Sequence, residues 1–192
     1  MRTFNRVYSI SIIAVLLVLI TGCAIATRPV LIYSPVTPIM ARNNIAIHVK
    51  PFHDNRLDKS VIGHMRSGLG FKTFEVETQT NVAEWATRAL TSELSNAGYD
   101  VIAKDFSGEL AGEIFGVYCD AYLSYEGLAE IKVSLKKDNK IILDKTYAGR
   151  ASQLNWAATP EGYASTVQSA LQNAISQVVA DVNRTLSPSY SG

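Results

Sequence analysis

From Asn44 to Phe52 apolar and polar residues alternate. Ile45, Ile47 and Val49 fall on one side of an extended chain, and Ala46, His48 and Lys50 fall on the other. That period of two predicts a half-buried strand, ended or held at a sheet edge by Pro51. Phe74, Val76 and Thr78 predict a short strand, and Tyr99–Ala103 another. Glu109–Leu123 is a longer apolar strand, with a bulge expected near Gly112 or Gly116. Gly127–Lys136 alternates strictly: Ala129, Ile131, Val133 and Leu135 inward, Glu130, Lys132, Ser134 and Lys136 outward. Asp138-Asn139 fits a two-residue turn, and Lys140–Arg150 returns as the partner strand. These last three runs predict an antiparallel meander with one wet face.

Two segments carry the helical period instead. Between Asn81 and Ala97, residues Val82, Ala86, Ala89, Leu90, Leu94 and Ala97 share one face, which Trp85 extends. Asn81 is placed to cap this helix, with Glu84 in the capping-box position, and Gly98 fits its C-terminal cap. Thr159-Pro160-Glu161 opens the last helix, with Thr as cap and Pro at the first helical position. Its apolar face runs through Tyr163, Val167, Ala170, Leu171, Ala174, Val178, Val182 and Leu186, and Pro188 ends it. Helices with one apolar stripe each most simply cover one face of a sheet. The expected fold is α+β: a single two-layer domain, a mixed, mostly antiparallel sheet of about 4–6 strands, and two amphipathic helices on one face.

The N-terminus follows different rules. Arg2 and Arg6 precede an apolar run from Ile10 to Ile20, and the run ends in Ile20-Thr21-Gly22-Cys23. A basic start, a short apolar segment and small residues before a cut describe a secretory signal peptide. The run is shorter than the ~20 apolar residues a membrane span needs. The order branched aliphatic, small, Gly, Cys resembles the lipobox of bacterial lipoproteins. That resemblance implies cleavage between Gly22 and Cys23, a diacylglycerol on the Cys23 thiol, and acylation of the new amine. Membrane attachment through Cys23 is therefore expected, since two or three acyl chains hold far better than one. Residues 24–43 contain Pro29, Pro35 and Pro38 and read as a semi-rigid tether. Val30, Leu31, Ile32 and Val36 predict that part of it lies on the domain as an extended arm. The expected division is 1–22 signal peptide, 23–43 lipidated Cys and tether, 44–186 globular domain and 187–192 tail.

Composition narrows the chemistry. The formal net charge is +1, which does not point to nucleic acid. Of two Cys, lipid would consume Cys23, leaving Cys119 as a packing residue in an apolar strand rather than a disulfide partner. His48, His53 and His64 are the only histidines and have no metal-ligand spacing. There is no Gly-x-Ser-x-Gly elbow, and Gly63–Gly70 lacks the Lys-Ser/Thr ending of a phosphate loop. No catalytic set, metal or cofactor is expected. The lysines at 132, 136, 137, 140 and 145 form a basic run that also suits the protection of a sheet edge.

His53–Thr73 shows no clean period and is the expected functional loop. Asp54 and Arg56 flank one residue there, so they can pair, or Asp54 can hold Arg66. Asp54, Arg56 and Arg66 are the candidate binding anchors; the competing reading makes them a clasp that only folds the loop.

The segments Pro51-Phe52-x-Asp54-x-Arg56, Ile62-Gly63-x-x-Arg66-x-Gly68-x-Gly70 and the Trp85 helix ending Ala97-Gly98-Tyr99-x-Val101 resemble YajG-like bacterial lipoproteins. Ser67 stands where that pattern has Asn. The resemblance implies an envelope lipoprotein without an assigned activity. The expected function is thus an outer-membrane lipoprotein facing the periplasm, a non-enzymatic accessory or binding module for an envelope protein complex or polymer. The alternative is a hydrolase or transferase acting on envelope polymers.

Overall fold

The computed structural model describes residues 28–40, 43 and 45–186. In chain order the elements are β1 (Ala46–Val49), β2 (His53–Asp54), β3 (Val61–Arg66), β4 (Lys72–Glu77), α1 (Val82–Asn96), β5 (Asp100–Val101), β6 (Gly108–Ala121), β7 (Ser124–Lys137), β8 (Lys140–Leu154) and α2 (Pro160–Leu186). The sheet is mixed and has eight strands rather than 4–6. The added strands are β2 and β3, inside the stretch expected to be loop.

β6 organises the sheet. One edge pairs antiparallel with β7 from Gly108↔Lys137 to Ala121↔Tyr125. The other edge takes three short parallel partners in succession: β1 at Gly108–Leu110, β2 at Glu113–Ile114 and β3 at Cys119–Ala121. β5 then flanks β1 in parallel, and β4 flanks β3 antiparallel. β8 continues beyond β7, with Asp138 and Asn139 at φ 49° and 61° in the turn between them. Those positive angles are what a type I′ hairpin turn needs. A bulge at Phe115 interrupts β6. Below it Leu110 and Ile114 face the core; above it Val117, Cys119 and Ala121 do. One extra residue therefore shifts the inward parity from even to odd numbers.

Both helices are built as their patterns predict. Asn81 accepts from the Glu84 amide at 3.2 Å. The Glu84 carboxylate turns to Arg88 at 2.8 Å rather than back to the cap. Gly98 sits at φ 91°, and the Tyr99 amide bonds Leu94 O while the Gly98 amide bonds Ser95 O. That is a Schellman close, for which a residue without Cβ is favoured. α1 packs on β1, β2, β5 and α2; α2 packs on β6, β7 and β8. The core between helices and sheet includes Trp85, Leu90, Ile114, Ile131, Leu135 and Leu171.

The Pro-rich segment from Arg28 docks on the domain. Pro29 O accepts from the Thr78 hydroxyl, and the Leu31 amide donates to Thr80 Oγ1. Farther along, the Tyr33 hydroxyl and the Val36 and Thr37 amides all donate to Glu93, at 2.6–2.8 Å. The Met40 amide then reaches Asn96 O, and the Asn43 amide reaches Gly98 O. Glu93 stands on the apolar stripe of α1 and is fully buried. Burial alone would raise its carboxyl. The hydrogen bonds from Thr37, Tyr33 and Val36 outweigh that and hold it below the usual carboxylate range.

Two outcomes follow from this packing. Leu90 and Leu171 are both at 0% exposure, and replacing either with Ala should cost about 2–5 kcal/mol; thermal melts within a degree or so of the parent for both would show that these faces are not the core. For the arm, a depressed carboxyl stabilises the docked state above the unfolded-state pKa and loses that effect as pH falls through the folded value. Proteolysis within residues 28–40 should therefore accelerate only below the ordinary Glu range of about 4.3. Glu93→Gln should loosen the arm already at neutral pH, because an amide NH₂ would face amide donors. Cleavage that does not change with pH in the parent would remove Glu93 as the clasp.

Candidate functional site

The candidate anchors separate into two places. Asp54 is level with Ile114 on β6, whereas Met65, next to Arg66, is level with Ala121. At about 3.3 Å per residue, and with one residue absorbed by the bulge, the two levels lie about 20 Å apart. Asp54 therefore does not hold Arg66.

Arg56 is buried at 8% exposure. Its Nε and Nη2 donate to the Asp54 carboxylate at 3.0 and 2.9 Å. Nη1 donates to Val61 O and Nη2 also to Lys59 O. The Arg56 amide closes the turn onto Asp54 Oδ1. Burial would raise the Asp54 carboxyl, but the Arg56 side chain and amide bring it below its usual value. This fork ties the β2–β3 connection to itself. It matches the clasp alternative, and it leaves little of Asp54 or Arg56 facing solvent.

Arg66 is on the other face of the problem. Residues Tyr118 and Asp120 alternate with the buried Val117, Cys119 and Ala121, so they project from the sheet face that carries no helix. Arg66 Nε lies 2.9 and 2.8 Å from the two Asp120 oxygens, and Nη1 donates to Gly70 O. Beside them the Tyr118 hydroxyl and His64 Nδ1 are 2.6 Å apart, and His64 Nε2 is 3.8 Å from Glu75. The parallel pairing of His64 with Asp120 assembles this ledge. Arg66 and Asp120 keep about a third and a quarter of their side-chain surface, at 32% and 25%.

The ledge offers paired charges and hydrogen bonds rather than an activated nucleophile. Tyr118 is pushed up by burial and by the Asp120 charge, the opposite of what an attacking phenolate requires. Cys119 is fully buried, and burial raises its thiol to about 12, so it is a packing residue. No group of three or more His, Cys, Asp or Glu among the described residues could hold a metal ion. A groove of about 450 Å³ at the lower end of the domain is lined by Met40, Ser95, Gly98, Tyr99, Asp100, Val101 and Ile102. The basic run is partly neutralised: Lys132 pairs with Asp144 at 3.1 Å and Lys145 with Asp181 at 2.7 Å.

Glu93, His64, Tyr118 and Asp120 were not singled out by sequence patterns as a site. For Glu93 a signal exists, an acid at a stripe position of an amphipathic helix. For the ledge residues other than Arg66 there is none, because they come from strands whose register the sequence does not reveal. Gly22 and Cys23 lie outside the described residues. Among those residues no helix is long and apolar enough to cross a membrane.

No family model matches the chain, and no curated protein does. Solved structures do. Protein XCC0632 from Xanthomonas campestris, of family DUF330, is 13% identical with a TM-score of 0.58, over 82% of this chain and 94% of that one. The hypothetical protein CT253 from Chlamydia trachomatis is 13% identical with a TM-score of 0.53, over 75% and 99%. Lipoprotein GNA1162 from Neisseria meningitidis is 14% identical with a TM-score of 0.40, over 73% and 99%, too loose a likeness to argue from. At these identities the first two show a shared fold.

The two arginines should respond differently to removal. Arg56→Ala leaves Asp54 and two carbonyls without their donor in a buried turn, and should cost about 3 kcal/mol or more. Arg66→Ala opens a partly hydrated pair and should lower the melting temperature less. Equal losses in thermal melts would contradict this division between clasp and ledge.

Proposed function

We propose that the protein is a lipid-anchored envelope lipoprotein, a non-enzymatic accessory module that presents the open face of its sheet to an envelope protein complex or polymer. The observation that carries the reading is the position of Ile20-Thr21-Gly22-Cys23, five residues before Arg28, where the chain is already strapped to the domain. The fold shared with XCC0632 is compatible with it, as is the resemblance to YajG-like lipoproteins. Ala24, rather than Asp, follows the lipidation site. It supports sorting to the outer membrane with the domain in the periplasm. The Arg66–Asp120 ledge, with His64 and Tyr118 beside it, is the proposed contact surface. Its charges are balanced within the ledge, which suits recognition by hydrogen bonds to a neutral or mixed-charge partner.

Cys23→Ala should abolish labelling by palmitate and leave the unprocessed chain in the inner membrane or degraded, while the domain still folds. Palmitate entering the Cys23→Ala chain would refute the anchor. On fractionation the parent should follow outer-membrane markers; recovery as a soluble protein would overturn the location.

A further inference from the structure

Three connections meet at the upper end of the domain, where β6 stops and α2 begins. They are residues 67–71 (Ser-Gly-Leu-Gly-Phe), 122–123 (Tyr-Leu) and 154–159 (Leu-Asn-Trp-Ala-Ala-Thr), and none carries a charge. Their side chains leave apolar surface in water: Leu69 84% exposed, Phe71 70%, Leu123 73%, Leu154 71% and Trp156 90%. The lower end differs in charge: Lys104, Asp105 and Asp138 lie in its turns and Lys136, Lys137 and Lys140 at the adjoining strand ends, beside the exposed Ile102, Phe106 and Ile141.

The backbone beneath these side chains is tied together. The Tyr122 hydroxyl donates to Gly68 O, the Asn155 side chain donates to Tyr122 O, and the Asn155 amide donates to Leu123 O. The Ser67 amide bonds Phe71 O, and the Tyr125 hydroxyl joins Ala157 O to the Thr159 amide. Polar backbone groups are thus bonded within the platform, which lowers the cost of moving it out of water. A Trp beside aliphatic side chains, without charges between them, is the composition that favours the headgroup boundary of a bilayer.

The arm says which end faces the membrane. It runs from Arg28, paired with Glu77, to Asn43, bonded to Gly98 below the start of β1. Its N-terminal end is therefore the end nearer the uncharged tip. Glu77 is five strand residues from Lys72, about 17 Å below the tip loop. Through Val61, Glu77 lies near the level of Val117, eight ladder steps or about 26 Å above Gly108 once the bulge is discounted. Cys23 is five positions before Arg28, a stretch that spans at most about 17 Å. That reach is enough for Cys23 to come level with the tip and too short for it to reach the charged end.

We infer that this tip is a lipid-binding surface: Leu69, Phe71, Leu123, Leu154 and Trp156 dip into the leaflet that holds the anchor, so the domain stands on the membrane in one orientation. The inference rests on acylation at Cys23. Each apolar group is small alone, but the anchor makes their insertion intramolecular and so strengthens it. Standing on this tip keeps the Arg66–Asp120 ledge close above the headgroups and turns the charged end away.

The chain carries its own probe, because Trp156 is exposed and its other Trp, Trp85, is 1% exposed in the core. The full-length chain is matured in a bacterial host and incorporated into vesicles of phosphatidylethanolamine and phosphatidylglycerol, with or without brominated acyl chains. Bromolipid should quench the Trp156 emission and shield it from aqueous iodide. In a Trp156→Phe, Phe106→Trp variant, which moves the probe to the lower end, bromolipid should not quench and iodide should. Unquenched Trp156, or equal quenching of both positions, overturns the inference. The mass of the purified chain reports separately on Cys23. If it carries no lipid, the anchor reading fails, and flotation of that chain with the same vesicles decides the tip alone: co-flotation with Trp156 quenched upholds it, and absence from the lipid fraction overturns it.

Discussion

Everything in this domain is hung on β6. Its two edges are used differently: one long antiparallel pairing with β7, and three short parallel pairings with β1, β2 and β3. A chain that lays three successive segments along one strand must travel its length, so neighbours in sequence end up at different heights. Arg56 and Arg66 are ten positions apart in the chain and serve the middle and the upper end of that climb. The Phe115 bulge completes the arrangement. Without its shift of parity, a strand that kept Leu110 and Ile114 inward would turn Val117 to water and the ledge residues Tyr118 and Asp120 toward the helices.

The arm depends on a second constraint, a charge buried where an apolar residue would be expected. An isolated carboxylate in the core would be costly, yet both oxygens of Glu93 accept hydrogen bonds from the arm. Arm and carboxylate therefore satisfy each other. The effect reaches beyond stability, since it lays residues 33–37 of the arm along α1.

Much of the architecture was legible because period and burial agree. The strict alternation in 127–136, the Asp138-Asn139 turn, the Asn81 and Gly98 caps and the stripe of α2 all appear where the pattern puts them. The segment Val61–Arg66 did not, for a physical reason. Its pairing with β4 is irregular between Val61 and Gly63 and between Met65 and Arg66, and its buried positions, Ile62 and Gly63, are neighbours rather than alternate. Gly63 also breaks the apolar run, yet a Cβ there would overlap the Cys119 carbonyl, so the glycine marks close strand approach rather than a loop. The strand count was underestimated for the same reason.

The candidate anchors show what sequence proximity misses. Asp54, Arg56 and Arg66 look alike in the chain: charges among glycines in a stretch without period. Burial separates them, because Arg56 at 8% exposure spends its donors on carbonyls and a carboxylate of its own turn. Arg66 meets an acid from a distant strand on an open sheet face. A charge that closes its own turn supplies order, whereas a charge held at the surface by a remote partner is both ordered and available. The uncharged tip then gives that surface a direction, since a ledge near one end of a strand is close to a membrane only if that end is the one that faces it.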